Sequence, residues 1–177
     1  PGLPEEDSVS IPPADQRRVR GDGDGVAAEH TVTIAVPRLP RISNTTDLAP
    51  LAAVPGVRVA FVPLSSTLSE ASGVLVPGTK TTVDDLQAVH AAGFDETLRA
   101  FDGPIVGLCG GYQLLGERLT NVGTEGVDAT GDLPGVVLLP VSTRFDPDKR
   151  VVAATLELSG TGLLAGVECT VEGYEIH

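Results

Sequence analysis

The sequence is poor in several residue types, and each shortage excludes a class of protein. Its 177 residues contain no Met and no Trp, and aromatic residues make up only 3%. The two cysteines, Cys109 and Cys169, are too few for a disulfide framework and lack the spacing of metal ligands. We therefore expect a reducing, cytoplasmic environment. Because residue 1 is not Met, we also expect the chain to be one module of a longer polypeptide.

Basic residues and long apolar runs are scarce as well. Twelve Lys and Arg stand against 24 Asp and Glu, which gives a formal net charge of −12. Such an acidic surface argues against binding to nucleic acid or to an anionic membrane, since both partners need basic groups. No apolar run approaches the roughly 18 residues that a membrane helix needs, and no signal-peptide pattern opens the chain.

The order of apolar segments predicts one α/β domain over residues 30–177. Residues 1–29, with a Gly-Asp-Gly-Asp-Gly run at 21–25, are interpreted as a linker or tail. The apolar strands do not alternate, which favours a mostly parallel central sheet with helices on both faces. Strands are predicted at 31–36, 57–62, 73–76, 104–108, 136–139, 151–158 and 167–176, and helices at 47–53, 82–92, 95–101 and 110–119.

The chemistry of the sequence is concentrated at Cys109. Gly107-x-Cys109-x-Gly111 has the spacing of a nucleophile elbow, in which a strand turns sharply into a helix and presents the nucleophile at the turn. The helix that follows directs its positive end at the sulfur, which favours the thiolate. The backbone N–H of Gly110 is then well placed to bind an oxyanion. Cys169 lies in an alternating strand pattern and is predicted to be structural.

A catalytic thiol also needs a base, and the chain has three histidines. His30 borders the tail and His90 lies within a polar helix, so both are predicted to be surface residues. His177 follows a predicted strand, at the kind of strand end where α/β folds place their sites. Position alone leaves open whether His177 is the base.

Several motifs together resemble the class I (triad) glutamine amidotransferases, and among these the cobyric acid synthase type. The elbow at 108–116 resembles that of the family, and Pro77-Gly78-Thr79-Lys80, within 76–86, resembles its loop facing the nucleophile. Gly173-Tyr174-Glu175-Ile176-His177 resembles its histidine motif. Residues 37–47 resemble the segment after its first strand, and residues 3–8 the end of a preceding synthetase domain. The resemblance covers 3–177.

The resemblance implies a flavodoxin-like fold and a set of roles. Cys109 would be the nucleophile and His177 the general base. The N–H groups of Gly78 and Gly110 would form the oxyanion hole, and Gln113 would help to shape the glutamine site. The domain would be incomplete at its C-terminus, so a third triad residue after His177 cannot be read. The family type is described as using a Cys–His dyad.

The resemblance also implies partners outside this chain. A synthetase domain of the same polypeptide would use ATP and Mg²⁺ to amidate the carboxylates of a corrinoid, adenosylcobyrinic acid a,c-diamide, with ammonia from glutamine. This chain itself has no phosphate-binding loop, and we expect no cofactor and no metal in it.

Three other interpretations remain open. The same glutaminase could serve another acceptor, as in lipid II isoglutaminyl synthase or cobyrinic acid a,c-diamide synthase. The domain could be catalytically silent and bind a partner. It could also be a thiol hydrolase that acts alone on γ-glutamyl peptides.

Overall fold

The computed structural model describes residues 17–125, 131–148 and 151–176, which fall into two units, one ending at Arg144 and one beginning at Phe145. The first unit is built on a five-stranded sheet. Its strands are β1 (Arg18–Arg20), β2 (Val32–Pro37), β3 (Val57–Val62), β4 (Gly73–Val76) and β5 (Ile105–Gly107). Its helices are α1 (Ala49–Ala52), α2 (Thr82–Ala91), α3 (Phe94–Arg99) and α4 (Gly110–Leu114), with 3₁₀ turns at Ala28–His30, Thr45–Leu48 and Val122–Glu125.

The sheet has the order β1-β3-β2-β4-β5, and its pairs from β3 to β5 are all parallel. This confirms the predicted α/β class with a mostly parallel sheet. The four early strands lie where the apolar segments predicted them, because they are rich in β-branched residues. Most residues of β3 and β4 and half of those of β2 are buried. The prediction of a buried fourth strand was wrong in one respect. Among the described residues β5 is an edge strand, and Val106 is 37% exposed.

The strand order fixes where a ligand can bind. The chain passes from β2 outward to β3, and then crosses back over β2 to β4 and on to β5. In open α/β sheets, ligands bind at the carboxyl ends of the strands where the order reverses. Here that position lies between β2 and β4. The segments that leave β2, β4 and β5 therefore meet at one edge of the sheet.

Part of the predicted linker belongs to the sheet. Residues 1–16 lie outside the described part of the chain, but β1 pairs antiparallel with β3, with Val19 opposite Ala60. Asp24 holds the glycine run in place, because its carboxylate accepts two hydrogen bonds from Arg58, at 2.9 and 3.0 Å, and one from the N–H of Gly56 at 2.7 Å. These bonds, led by those from Arg58, keep the pKa of Asp24 well below its usual range.

Two helix starts differ from the predicted ones. The helix predicted at 47–53 begins as a 3₁₀ turn at Thr45. Thr82 was predicted to cap α2, but Thr81 is the N-cap residue. The N–H groups of Thr82 and Val83 instead donate to the carboxylate of Glu125, at 3.1 and 2.9 Å. Helix α2 stops before Gly93, as predicted, where φ is +68°.

The region after the elbow was predicted wrongly. The helix expected over 110–119 ends at Leu114, and Leu119 lies in strand β6 (Arg118–Thr120). That strand lies between β7 (Leu133–Pro134) and β8 (Ser142–Arg144) in a small sheet. The segment 136–139 is not a strand. Its N–H groups donate to carbonyls at 114–116, at 2.9 Å, and so satisfy the C-terminal end of α4.

The second unit is a hairpin of two long strands, β9 (Val151–Ser159) and β10 (Glu168–Ile176), paired antiparallel around a 3₁₀ turn at Gly162–Leu164. It confirms the strands predicted at 151–158 and 167–176. Cys169, opposite Leu158 on β10, is exposed. Within the described ranges of both units, no helix is long and apolar enough to cross a membrane.

Val137 combines a strained backbone with an exposed side chain, and this predicts an unusual response to mutation. Its φ is +61°, and its side chain is 57% exposed. A left-handed conformation costs a non-glycine residue about 1–2 kcal/mol. Val137→Gly would relieve this cost. It would also make the unfolded chain more flexible, which lowers the free energy of unfolding by about 0.4–1 kcal/mol. We expect the variant to match or exceed the stability of the parent in urea unfolding.

Val54→Gly is the matched control for this change. Val54 is 49% exposed and does not have a positive φ. It should lose about 0.4–1 kcal/mol through the entropy of the unfolded chain alone. An equal loss at Val137 would show that no strain is stored there.

Candidate active site

Cys109 lies at a sharp turn between β5 and α4. The N–H of Leu108 donates to the carbonyl of Val76 at 2.9 Å, which fixes the end of β5 against β4. Cys109 then has φ +49° and ψ −115°, a conformation that L-residues rarely adopt, and α4 begins at the next residue. This confirms the predicted elbow. The side chain of Cys109 is exposed, so its sulfur is accessible.

Two glycines allow the turn because backbone passes where a side chain would lie. A Cβ on Gly107 would lie 2.6 Å from the backbone N of Tyr112. A Cβ on Gly111 would lie 2.2 Å from the carbonyl oxygen of Val76. Both distances are shorter than real Cβ atoms show, and the obstructing atoms are main-chain atoms. The first turn of α4 therefore packs directly on the end of β4.

Gly78 and Gly110 both lie next to Cys109. A Cβ built on Gly78 would lie 3.8 Å from the Cβ of Cys109, so the Gly78 backbone faces the elbow. Gly110 follows Cys109 and opens α4. Within the described ranges, no hydrogen bond uses the N–H of Gly78 or Gly110 as donor. The structure thus brings together the two backbone donors that the sequence pattern and the resemblance singled out.

Gln113, in α4, is hydrogen-bonded to α2. Its Oε1 accepts a hydrogen bond from Oγ1 of Thr82 at 3.2 Å, which leaves the Nε2 group to donate elsewhere. Thr82 is in turn fixed by the bond from its N–H to Glu125. The orientation of the Gln113 side chain is therefore set by its hydrogen bond to Thr82 of α2. Neither Thr82 nor Glu125 was identified as a site residue from the sequence.

The loop that carries Gly78 is paired with the segment leaving β2. The N–H of Ser43 donates to the carbonyl of Gly78 at 2.9 Å, and the N–H of Lys80 donates to the carbonyl of Arg41 at 2.9 Å. Ile42 and Thr79 form the antiparallel bridge between these bonds. This short ladder joins the carboxyl ends of β2 and β4 beside Cys109.

A buried carboxylate closes this ladder. Asp85, in the first turn of α2, is 0% exposed and accepts the N–H of Arg41 at 3.0 Å and the hydroxyl of Thr79 at 2.5 Å. Burial raises the pKa of Asp85, and the bonds from Thr79 and Arg41 oppose that rise. The sequence carries one signal for the burial of Asp85. Helical spacing puts it on the same face as Thr82 and Val89, both of which are buried.

The histidines are placed as follows. His177 lies outside the described residues, so its role remains a prediction. His30 is exposed, as predicted. His90 was predicted to be a surface residue, but its side chain is only 27% exposed. Its Nε2 lies 2.8 Å from the carbonyl of Pro134 and its Nδ1 lies 3.2 Å from Asp95, so it connects α2 to α3 and β7.

Metal binding has no support within the described ranges, where no cluster of three His, Cys, Asp or Glu side chains could hold an ion. The chemistry available at the elbow is that of a thiol flanked by unused backbone donors. Fold and site together define an α/β domain built around a cysteine elbow. The family model of the CobB/CobQ-like glutamine amidotransferase domain matches residues 33–177, and the chain belongs to this family.

Curated relatives share the whole length of this chain. A probable cobyric acid synthase of Halobacterium salinarum strain R1 is 59% identical over 178 residues, which cover 100% of this chain and 35% of the relative. A probable cobyric acid synthase of Methanosarcina mazei is 41% identical over 99% of this chain and 35% of the relative. The cobyric acid synthase of Acaryochloris marina is 40% identical over 99% of this chain and 34% of the relative. The chain thus spans about a third of these relatives.

The packing of Gly111 predicts that a single methyl group disrupts the elbow. In most helices Gly→Ala is stabilising, because alanine is the better helix former. In Gly111→Ala the new Cβ meets the carbonyl oxygens of Val76 and Pro77, at 2.2 and 2.6 Å, and backbone cannot move aside cheaply. We expect a loss of at least about 1–3 kcal/mol in the free energy of unfolding, measured in urea.

Gly23→Ala is the control, since a Cβ at Gly23 meets nothing within 4 Å and the residue has no positive φ. It should be neutral or stabilising. If both variants were equally stable, α4 would not pack on β4 as closely as the structure has it.

Proposed function

We propose that this chain is the glutaminase domain of a cobyric acid synthase, a ligase that uses glutamine as its amido donor. The observation that carries the proposal is the strained Cys109 next to Gly78 and Gly110, whose N–H groups donate no hydrogen bond within the described ranges. Membership of the glutamine amidotransferase family supports the reaction. The names of the relatives, all cobyric acid synthases or probable ones, support the acceptor.

The proposed reaction proceeds through a thioester. The thiolate of Cys109 attacks the carboxamide carbon of glutamine, and the N–H groups of Gly78 and Gly110 donate to the resulting oxyanion. Each such donor is typically worth about 3–4 kcal/mol in the transition state. His177 protonates the departing nitrogen, so the C–N bond breaks and ammonia leaves. Water, deprotonated by His177, then attacks the γ-glutamyl thioester, and the C–S bond breaks. Glutamate leaves, and the Cys109 thiolate and the protonated His177 are regenerated.

Gln113 has a supporting role in this proposal. Its Oε1 is occupied by Thr82, so its Nε2 group is the part that can donate to a polar group of bound glutamine. The exposure of Cys109 is consistent with a substrate that enters from solvent. No cofactor takes part in these steps.

The partner of this domain is proposed to be a synthetase domain of the same polypeptide. The relatives are about three times as long as their match to this chain, which leaves room for such a domain. ATP and Mg²⁺ would act there, on the carboxylates of adenosylcobyrinic acid a,c-diamide. A cytoplasmic location is part of the proposal. Lipid II isoglutaminyl synthase and cobyrinic acid a,c-diamide synthase have less support, because the relatives above do not carry these names.

Labelling with a glutamine-mimicking diazoketone tests the proposal, with Cys169 as internal control. Both cysteines are exposed, so accessibility does not distinguish them. We expect one adduct by intact mass, located on Cys109 by peptide mapping, and protection by excess glutamine. Cys109→Ser should abolish both the adduct and glutamine hydrolysis.

Equal labelling of both cysteines, or none, in the full-length polypeptide would contradict the proposal. A silent partner-binding domain would give neither adduct nor turnover. A hydrolase acting alone would release glutamate from γ-glutamyl peptides without any synthetase partner.

A further inference from the structure

We infer that Asp85 is a positioning residue for glutamine hydrolysis, which acts through Thr79 to hold the N–H groups of Gly78 and Gly110 next to Cys109. The inference rests on the proposed function and goes beyond it by assigning a role to a carboxylate that does not reach the elbow.

Asp85 is buried without a cationic partner among its hydrogen bonds. Its oxygens accept the backbone N–H of Arg41, at 3.0 and 3.3 Å, and the hydroxyl of Thr79. The guanidinium of Arg41 lies 3.8 Å from the carboxylate of Asp84. The charges of Arg38 and Arg41 act on Asp85 through space rather than through these hydrogen bonds. A buried carboxylate is costly unless it is hydrogen-bonded. Here both hydrogen-bond partners of Asp85 belong to the ladder beside Cys109, so these bonds stabilise that ladder.

Thr79 connects the carboxylate to both backbone donors. It follows Gly78 directly, and its Oγ1 is bonded to Asp85 at 2.5 Å while accepting the N–H of Thr81 at 3.1 Å. Its Cγ2 lies 2.4 Å from the position that a Cβ on Gly110 would occupy, so the methyl group packs on Gly110 itself. Fixing the rotamer of Thr79 therefore fixes the spacing between the loop after β4 and the start of α4.

This spacing matters for the transition state more than for substrate binding. Oxyanion donors act at about 2.7–3.1 Å from the position of the developing charge, so a shift of a few tenths of an ångström weakens them. Glutamine in its ground state carries no such charge. Loss of an interaction made only in the transition state lowers kcat and kcat/KM together and leaves KM almost unchanged.

Asp85→Asn, with Asp84→Asn as control, tests the inference in the full-length polypeptide. The Asn side chain keeps the shape of Asp85 and an acceptor for Arg41, but loses the charged acceptor for the Thr79 hydroxyl. We expect kcat for glutamine hydrolysis to fall about 10- to 100-fold, a part of the 10²–10³ typical for removal of a whole donor. KM should stay within about threefold. Asp84→Asn removes a charge one residue away and should change kcat less than about twofold.

The route through Thr79 is tested by a double-mutant cycle. Thr79→Val keeps the shape and the methyl group but removes the hydroxyl, and should lower kcat as Asp85→Asn does. Because both changes break the same link, the double variant should be no slower than the slower single variant. Thr79→Ser restores the hydroxyl but lacks the methyl group that packs on Gly110, so it should recover only part of the kcat lost in Thr79→Val. A structural role alone would predict no such recovery.

Chemical labelling of Cys109 separates the positioning effect from a loss of thiol reactivity. The diazoketone alkylates the thiolate at its diazo carbon, which takes up a proton as N2 leaves. Its carbonyl oxygen is held by the same two N–H groups, so Asp85→Asn should slow its reaction about tenfold. Iodoacetamide needs no oxyanion donor and should react with Cys109 at an unchanged rate.

Three outcomes would overturn the inference: an unchanged kcat in Asp85→Asn, multiplicative losses in the double variant, or equal slowing of both reagents. If Asp85→Asn fails to fold, Thr79→Val and Thr79→Ser give the same decision. Failure of the proposed function is distinguishable, since the parent protein would then hydrolyse no glutamine at all.

Discussion

The close approach of α4 to the end of β4 is the constraint on which the site depends. Because the backbone of Gly111 passes the carbonyl of Val76 with no room for a Cβ, the chain must leave β5 in a single sharp turn. That turn forces Cys109 to a positive φ and brings its backbone next to Gly78. The strain is stored at the residue that the proposed reaction uses, as strained backbone often is in functional sites.

Carboxylates bonded to backbone N–H groups hold the irregular segments of the first unit. Asp24 fixes the glycine run against the turn at Gly56, Glu125 satisfies the start of α2, and Asp85 closes the ladder between the ends of β2 and β4. A carboxylate only accepts hydrogen bonds, so it can pair with backbone N–H groups that a loop leaves without a partner. It does so more strongly than a neutral side chain, because it is charged. Part of the acidic excess of this sequence therefore has a structural use.

The two units have different surfaces. The sheet of the first unit buries many of its branched residues, whereas the β9–β10 hairpin exposes several large apolar ones, among them Leu156 at 60% and Tyr174 at 77%. The curated relatives are about three times as long as the region they share with this chain. The chemistry proposed for the elbow ends with ammonia, and the synthetase domain proposed above would consume it.

The sequence alone determined the elements whose signal is local. The strands β2, β3 and β4 are short apolar runs between turn residues. The spacing of the glycines around Cys109 predicted the elbow. Hydrophobic periodicity failed after Leu114, where the apolar run 136–139 satisfies the end of α4 instead of forming a strand. Composition could not show that Arg18–Arg20 pair with β3, or that Asp24 is hydrogen-bonded to Arg58, 34 positions along the chain.

The tertiary structure alone decided how the pieces of the site meet. Spacing pointed to Cys109 and Gly110, and a family pattern pointed to Gly78, but the distance between Gly78 and Cys109 depends on the parallel pairing of β4 with β5. The roles of Asp85, Thr79, Thr82 and Glu125 could not be predicted in this way, because each depends on a partner brought close only by the fold. Neighbouring residues determine local geometry. The role of a buried carboxylate depends instead on the backbone donors that folding places around it.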